Sequence, residues 1–313
     1  MTRTGWILVV LAVAAVIVAI FARGEIVEVL RLFRHANPMW LLAAFGLQIL
    51  TYVAAAGVWY VALRSTSHRQ PLVRLIRVAL VMLFSNQAVP SAGISGGLVA
   101  AKALTRHRVP ESVAMSALLL GLVTTYIALS ATFVVAAVWA SAFPWLFPVV
   151  LAAGVLFLLM AGGVTSLVLA SKQLSKPWRR RLTGLPLVGK AVASVINAST
   201  DPMRGTALVE ATSLQVIEIF FDAATLGASL LAIGSRPAAL AVFGSYVIAE
   251  VGSRVAVVPL GIGTFEAACV TLLHAGSVPV GTAIAGTLLF RGFTLWLPMV
   301  PGLLSAKKAL DEH

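Results

Sequence analysis

Charge is scarce in this chain, and cysteine is almost absent. Only 11% of the 313 residues are Asp, Glu, Lys or Arg. A soluble domain needs far more charge to keep its surface hydrated, so a soluble globular fold is excluded. The sole cysteine, Cys269, excludes an intramolecular disulfide and a cysteine-based metal site. It reads as a packing residue. Five scattered histidines offer no metal-ligand spacing. There is no nucleophile–base pair and no nucleotide fingerprint, and no cofactor is expected. Acidic residues are rarer than basic ones, 11 against 23, for a formal net charge of +12. The basic residues lie in short connections between apolar runs, which marks membrane orientation rather than nucleic-acid binding. They also suit anionic headgroups at a membrane surface.

What is present is apolar. Hydrophobic residues make up 60% of the chain, with a mean hydropathy of +0.99. The expected fold is all-α, a polytopic transmembrane bundle in one integral membrane domain, 1–313. Apolar runs measured against the roughly 20 residues of a span give eight spans. They are Gly5–Ala22, Pro38–Leu63, Leu72–Val89, Ser112–Ala140, Pro144–Ala170, Thr206–Ile233, Pro237–Val258 and Val280–Leu304. The first follows a short basic start, Met1-Thr-Arg-Thr4, and reads as a retained helix, with a cleaved signal peptide as the alternative.

Two stretches resemble each other, Ala88-Val-Pro-Ser-Ala-Gly-Ile-Ser-Gly-Gly97 and Val257-Val-Pro-Leu-Gly-Ile-Gly-Thr-Phe-Glu266. Each breaks an apolar segment with Pro and then Gly-Ile, and each is followed by a run too short to cross. These runs, Ser91–Leu104 and Thr264–His274, read as re-entrant half-helices. The broken elements are therefore 72–104 and 237–274. Irregular backbone is tolerated in lipid only where protein or a wet cavity satisfies its polar groups. Paired breaks in two halves point to a transporter-type site. The bland alternative is that Pro and Gly merely kink two helices.

Basic clusters set the expected orientation. Arg64, Arg69, Arg74 and Arg77 flank one connection, and Lys102, Arg106 and Arg108 follow the first half-helix. The loop 171–205 carries Lys172, Lys176, Arg179, Arg180, Arg181 and Lys190 around a middle piece, Leu187–Ala198, that reads as an interfacial helix. Putting these on the cytoplasmic side of a bacterial inner membrane, with both termini, makes the two breaks enter from opposite faces as an inverted repeat. Arg23–Asn37 then reads as a periplasmic amphipathic segment.

Ionisable residues within spans are functional candidates by default. Glu218 and Asp222 stand one helical turn apart, with Gln215 and Thr225 extending the stripe. Two nearby carboxyls in low dielectric should leave one protonated, which suits proton or ion coupling; hydrogen bonding between helices is the alternative. Glu250 and Arg254 can pair along one helix. Glu266 opens the second half-helix, as a cap or as a site acid. Arg291 lies mid-span and needs an acid or an anionic ligand. Asn86, Pro90, Gly93, Gly96 and Gly97 belong to the first break, with Lys102 beyond it; Pro259, Gly261 and Gly263 belong to the second. All of these are candidate substrate contacts. His274 reads as a polar end residue, and Thr124, Tyr126 and Ser130 as packing and interhelical bonding.

The same passages resemble the lysylphosphatidylglycerol synthase transmembrane-region family, also called flippase-like or UPF0104. The resemblance rests on Phe84–Gly97 with its basic Lys102–Arg108 continuation, on Val258–Ala267, and on Leu289-Phe-Arg-Gly-Phe-Thr-Leu-Trp-Leu-Pro298. Leu98-Val-Ala stands where the family usually carries an acid. The resemblance implies the flippase-like membrane part without the synthase, hence no lysyl transfer and no enzyme. The expected function is binding and translocation of an amphiphilic lipid, an anionic phospholipid or a lipid-linked precursor. The alternatives are a lipid-presenting subunit for a separate glycosyl- or aminoacyl-transferase, and an ion-coupled small-solute transporter. Expected partners are membrane lipids, with a separate transferase and a homo-oligomer as further options, and no nucleic acid.

Overall fold

The structure is a computed structural model that describes residues 31–64, 66, 68–88, 94–170, 198, 205–256 and 263–297. All regular structure among these residues is helical. The helices are α1 (Pro38–Arg64), α2 (Leu72–Ala88), α3 (Ile94–Thr105), α4 (Glu111–Ala140), α5 (Phe147–Ala170), α6 (Thr206–Ala232), α7 (Ala239–Val255), α8 (Thr264–Ala275) and α9 (Val280–Arg291). A π-helical turn, Gly292–Trp296, continues α9. The expected first span, most of the loop 171–205 with its interfacial helix, and both Pro-containing turns lie outside the described residues.

Four helices are long and apolar enough to cross a membrane: α1, α4, α5 and α6. Each runs without an internal proline, because Pro38, Pro110 and Pro148 fall at helix starts, where the missing N–H costs nothing. Their outer faces are rich in large apolar side chains. Met39 is 72% exposed and Val138 71%, and α5 exposes Val149, Leu158 and Leu159. In water such a surface would associate; against acyl chains it is the expected solvent-facing side.

The expected spans Leu72–Val89 and Pro237–Val258 are described up to Ala88 and Ala256, and their last residues lie outside the described part. The helices found there, α2 and α7, each have 17 residues. At 1.5 Å per residue they reach about 26 Å, less than a hydrocarbon core of about 30 Å. The last expected span is helical as far as Leu297, with α9 passing at Gly292 into the π turn and residues 298–304 outside the described part.

Each short helix pairs with its successor as a hairpin. α2 packs on α3, and α7 packs on α8. The hairpins return to where they start. His107, just past α3, lies near Arg74 at the start of α2, and partial burial, with this cation beside it, holds the imidazole below its usual pKa. Gly276, just past α8, lies so close to the start of α7 that a Cβ on it would sit 3.0 Å from Ala241 Cβ. The bases are at opposite ends of α4. The first leads through Val109 and Pro110 into its start. The second packs on Trp139 at its end, 3.4 Å from the Cβ position of Gly276.

Burial falls into two apolar cores. One is built from α1, the α2–α3 hairpin and the first half of α4, with Trp59, Leu75, Leu104 and Leu119 among its members. The other comes from the second half of α4 with α5, α6, α7, α8 and α9, and includes Phe157, Leu226, Val247 and Phe265. α4 and α6 run through both. Between the cores, Gly121–Thr125 of α4 and Gln215–Asp222 of α6 form a seam, and the polar residues of the bundle gather along it.

Candidate functional site

Two adjoining cavities open on this seam. The first, of about 140 Å³, is lined by Gln48, Thr51 and Tyr52 of α1, Gln215, Glu218 and Asp222 of α6, Tyr246, Glu250 and Arg254 of α7, and Arg291 of α9. The second, of about 130 Å³, lies between α1, the α2–α3 hairpin and α4, and reaches Gly97, Gly121 and Leu118. Leu83, Thr125, Gln215, Glu218 and Arg254 line both. The inner ends of the two hairpins therefore meet here, Leu83 and Gly97 from one, Arg254 and Phe265 from the other.

Both arginines of the chamber have acids of their own. Arg254 Nη2 is 2.8 Å from Glu250 Oε1, and its Nε donates to the same oxygen at 3.0 Å. This is the one-turn pair expected from the sequence. Arg291 Nε donates to Glu266 Oε1 at 2.5 Å, and its guanidinium lies over the Phe265 ring, 5.0 Å from the centroid. Glu266 serves twice, since its Oε2 accepts the Gly263 N–H at 2.7 Å and so caps α8. Cap and ion pair are thus one residue's work.

Glu218 and Asp222 have no such partner. They do not bond each other. Tyr246 donates its hydroxyl to Asp222 Oδ2 at 2.9 Å, while Asp222 Oδ1 is buried without a hydrogen-bond partner. No described residue hydrogen-bonds Glu218. Tyr246 is held in an aromatic group, edge-on to Phe265 at 6.1 Å and to Phe290 at 5.8 Å. Tyr52 donates to the Phe293 carbonyl at 3.1 Å, tying α1 to the π turn. Such turns free a carbonyl from its usual helical partner and are frequent at functional sites.

The first-break residues divide. Pro90 and Gly93 lie outside the described residues, as do Pro259 and Gly261 of the second break. Asn86 falls on α2. Gly96 and Gly97 are buried, and a Cβ on Gly97 would meet Leu118 at 3.1 Å, so this glycine lets α3 approach α4. Lys102 is exposed at the far end of α3 and does not line the chamber. Thr225, expected to extend the acidic stripe, is buried and bonds back to the Phe221 carbonyl at 2.8 Å. Thr124 likewise bonds within its own helix, to Leu120 O, rather than across helices. His274 Nδ1 is 3.1 Å from the Val278 carbonyl and closes the end of α8. Cys269 is buried in the second core with Thr287 donating to its sulfur at 3.6 Å.

Gln48, Thr51, Tyr52 and Tyr246 line the chamber without having stood out in the sequence. Neutral polar residues in spans have a bland reading, hydrogen bonding between helices, and nothing in their spacing marks a chamber. Their one available signal was that Gln48, Thr51 and Tyr52 fall within a single turn of an otherwise apolar run. Arg64 of α1 and Glu210 of α6, 2.6 Å apart at the basic end of the bundle, were also not foreseen as a pair.

Comparison with known proteins agrees with this architecture. The family profile for the lysylphosphatidylglycerol synthase TM region matches residues 6–302. A UPF0104 membrane protein of Methanocaldococcus jannaschii is 23% identical over 314 aligned positions, covering 95% of this chain and 93% of that protein. With four membrane-length helices in the described part, this chain is a multi-pass membrane protein that belongs to the lysylphosphatidylglycerol synthase transmembrane-region family.

Proposed function

We propose that this protein binds an amphiphilic lipid with its headgroup in the seam chamber and carries that headgroup across the bilayer. The observation that supports this most is the chamber itself, polar, enclosed by apolar helices, and lined by the inner ends of both hairpins. Its size favours a headgroup over a whole solute. Sites for drug-sized ligands run to about 300–1,000 Å³, whereas the two adjoining cavities of the chamber are about 140 and 130 Å³. A small polar group fits, and the acyl or polyprenyl tails stay in lipid.

The charges favour a headgroup that donates hydrogen bonds. Arg254 and Arg291 already hold Glu250 and Glu266, so an anionic group would share each guanidinium with a carboxylate. Glu218 and Gln215 stand ready to accept. A lipid-linked precursor, hydroxyl-rich beyond its phosphate, therefore suits the chamber better than a plain anionic phospholipid.

The hairpin bases at opposite ends of α4 support an inverted arrangement, with one re-entrant element from each face. The exposed cations Arg69, Arg77, Lys102, Arg106 and Arg108 collect at the end where α2 starts, so that end is the cytoplasmic one by the positive-inside rule. We place the protein in a bacterial inner membrane with both termini cytoplasmic. Lipid carriage needs no covalent step, and no enzymatic role is proposed.

Native mass spectrometry of lipids retained by the purified protein tests this reading. A discrete lipid-linked species should be held by the parent and lost in Glu218→Gln. Retention of an unselective lipid mixture, the same in both proteins, would remove the support for a headgroup site.

A further inference from the structure

We propose that the groove between α8 and α9 seats a hydrocarbon chain of the carried lipid, with the polar end of that chain against the Glu266–Arg291 pair. The groove holds about 330 Å³. It is lined by Ala267, Val270 and Thr271 of α8 and by Ile284, Thr287 and Leu288 of α9, with Glu266 at its inner end. On each helix the three residues stand at i, i+3 and i+4, so they share one face. Ala267, Thr271 and Leu288 are exposed. The groove therefore opens on the outer side of the bundle, where the surrounding medium is acyl chains.

Every polar side chain in this lining already has a partner. Thr271 donates its hydroxyl to the Ala267 carbonyl at 2.7 Å, and Thr287 donates to the Cys269 sulfur at 3.6 Å. Glu266 accepts the Gly263 N–H with one oxygen and Arg291 with the other. An apolar cavity of this kind stays dry, so hydrocarbon is the ligand its chemistry fits. Its volume reaches the range of about 300–1,000 Å³ found for ligand pockets, which neither chamber cavity does. Lipid is as apolar as the groove, so burial alone gives no preference for it. Contact on two sides does, because many small dispersion terms with fixed neighbours add up.

One ion pair separates the groove from the chamber. Glu266 lines the groove and Arg291 lines the chamber, with the guanidinium over the ring of Phe265, another chamber residue. A lipid with its headgroup in the chamber thus has its chain leave past this pair. α8 and α9 run antiparallel, with Glu266 beside Arg291 and Cys269 beside Thr287. From the pair outward, a seated chain meets Ala267 and Leu288 first, then Thr271 and Ile284, toward the hairpin base at Gly276. A lipid that merely surrounds the protein points the other way, with its ester end near that base and its methyl end near the pair. This deepens the lipid-carrying reading by giving the tail a seat, and it rests on that reading for the headgroup alone.

The test is photolabelling of the full chain in vesicles of phosphatidylethanolamine and phosphatidylglycerol. Two phosphatidylglycerol probes are compared, one with a diazirine near the ester end of an acyl chain and one with it near the methyl end. The first should label Ala267 and Leu288 and the second Thr271 and Ile284, each several-fold above the lipid-facing Val149 and Leu159 of α5. Leu288→Trp fills the groove from an exposed wall without removing a charge and should lower the groove label to the α5 level. Ala267→Trp does the same from the opposite wall. The reverse order of labels, a groove label no stronger than that of α5, or a label unchanged in both variants would each overturn the proposal. A groove closed by a second copy of the chain would take no label and overturn it too. Should neither variant fold, the order of labels in the parent decides alone. Labelling reads where a chain sits, whereas lipid retention in Glu218→Gln reads the headgroup, so failure of the groove and failure of the lipid-carrying reading are distinguishable.

Discussion

Glu266 binds two parts of the fold with one carboxylate. One oxygen caps α8 and the other holds Arg291 of α9. The Arg291 side chain is 12% exposed and that of Glu266 21%, so removing one partner leaves a largely buried charge. Breaking such a pair costs about 3 kcal/mol, much of it the orphan's desolvation. Arg291→Ala should lower the thermal unfolding midpoint in detergent, and Arg291→Met with Glu266→Gln should recover most of the loss. A double variant no more stable than the single one would mean the pair is not what matters. Gly263, whose N–H receives the cap, has φ +95°, a region open to glycine and strained for other residues. Gly263→Ala should cost about 1–2 kcal/mol in the same unfolding measurement, whereas Gly252→Ala, mid-helix with open space around it, should be neutral or mildly stabilising. The sequence showed Glu250–Arg254 because both sit on one helix. It could not show Glu266–Arg291, whose partners are 25 residues apart and meet only when α8 and α9 pack.

The two hairpins are the elements on which the proposed function depends. Their existence was legible in the repeated Pro and Gly-Ile breaks, because those residues interrupt a helix whatever surrounds it. Their lengths were less so. Apolar composition alone made Leu72–Val89 and Pro237–Val258 look like full spans, whereas their described helices, Leu72–Ala88 and Ala239–Val255, have 17 residues each. The chamber was legible only by half. Its charged members announce themselves in an apolar chain, but Gln48, Tyr52 and Tyr246 reach it from helices whose relative rotation no local pattern encodes. The hairpin geometry makes a direct prediction. In a Cys269→Ser background, Ala241→Cys with Gly276→Cys should form a disulfide on mild oxidation, since the Cβ positions are close. Free thiols at both positions, in a folded protein, would contradict the return of α8 to the start of α7.

At the scale of the molecule, two apolar cores share α4 and α6 and leave a polar seam between them. A bundle with a single continuous core would have no reason to keep Glu218 and Asp222 unpaired inside it, because each costs stability that apolar side chains would not. Central to the proposed function is the passage of a lipid headgroup through this seam. It is tested most directly by following inward movement of a headgroup-labelled, lipid-linked sugar in proteoliposomes, comparing the parent with Thr125→Phe. Thr125 lines both cavities and bonds only to its own helix, so the larger ring fills their shared wall without removing a charge. The account predicts that Thr125→Phe, folded and reconstituted to the same density, slows translocation at least about tenfold, equivalent to about 1.4 kcal/mol in the barrier. Translocation at the parent's rate through a filled seam would contradict it.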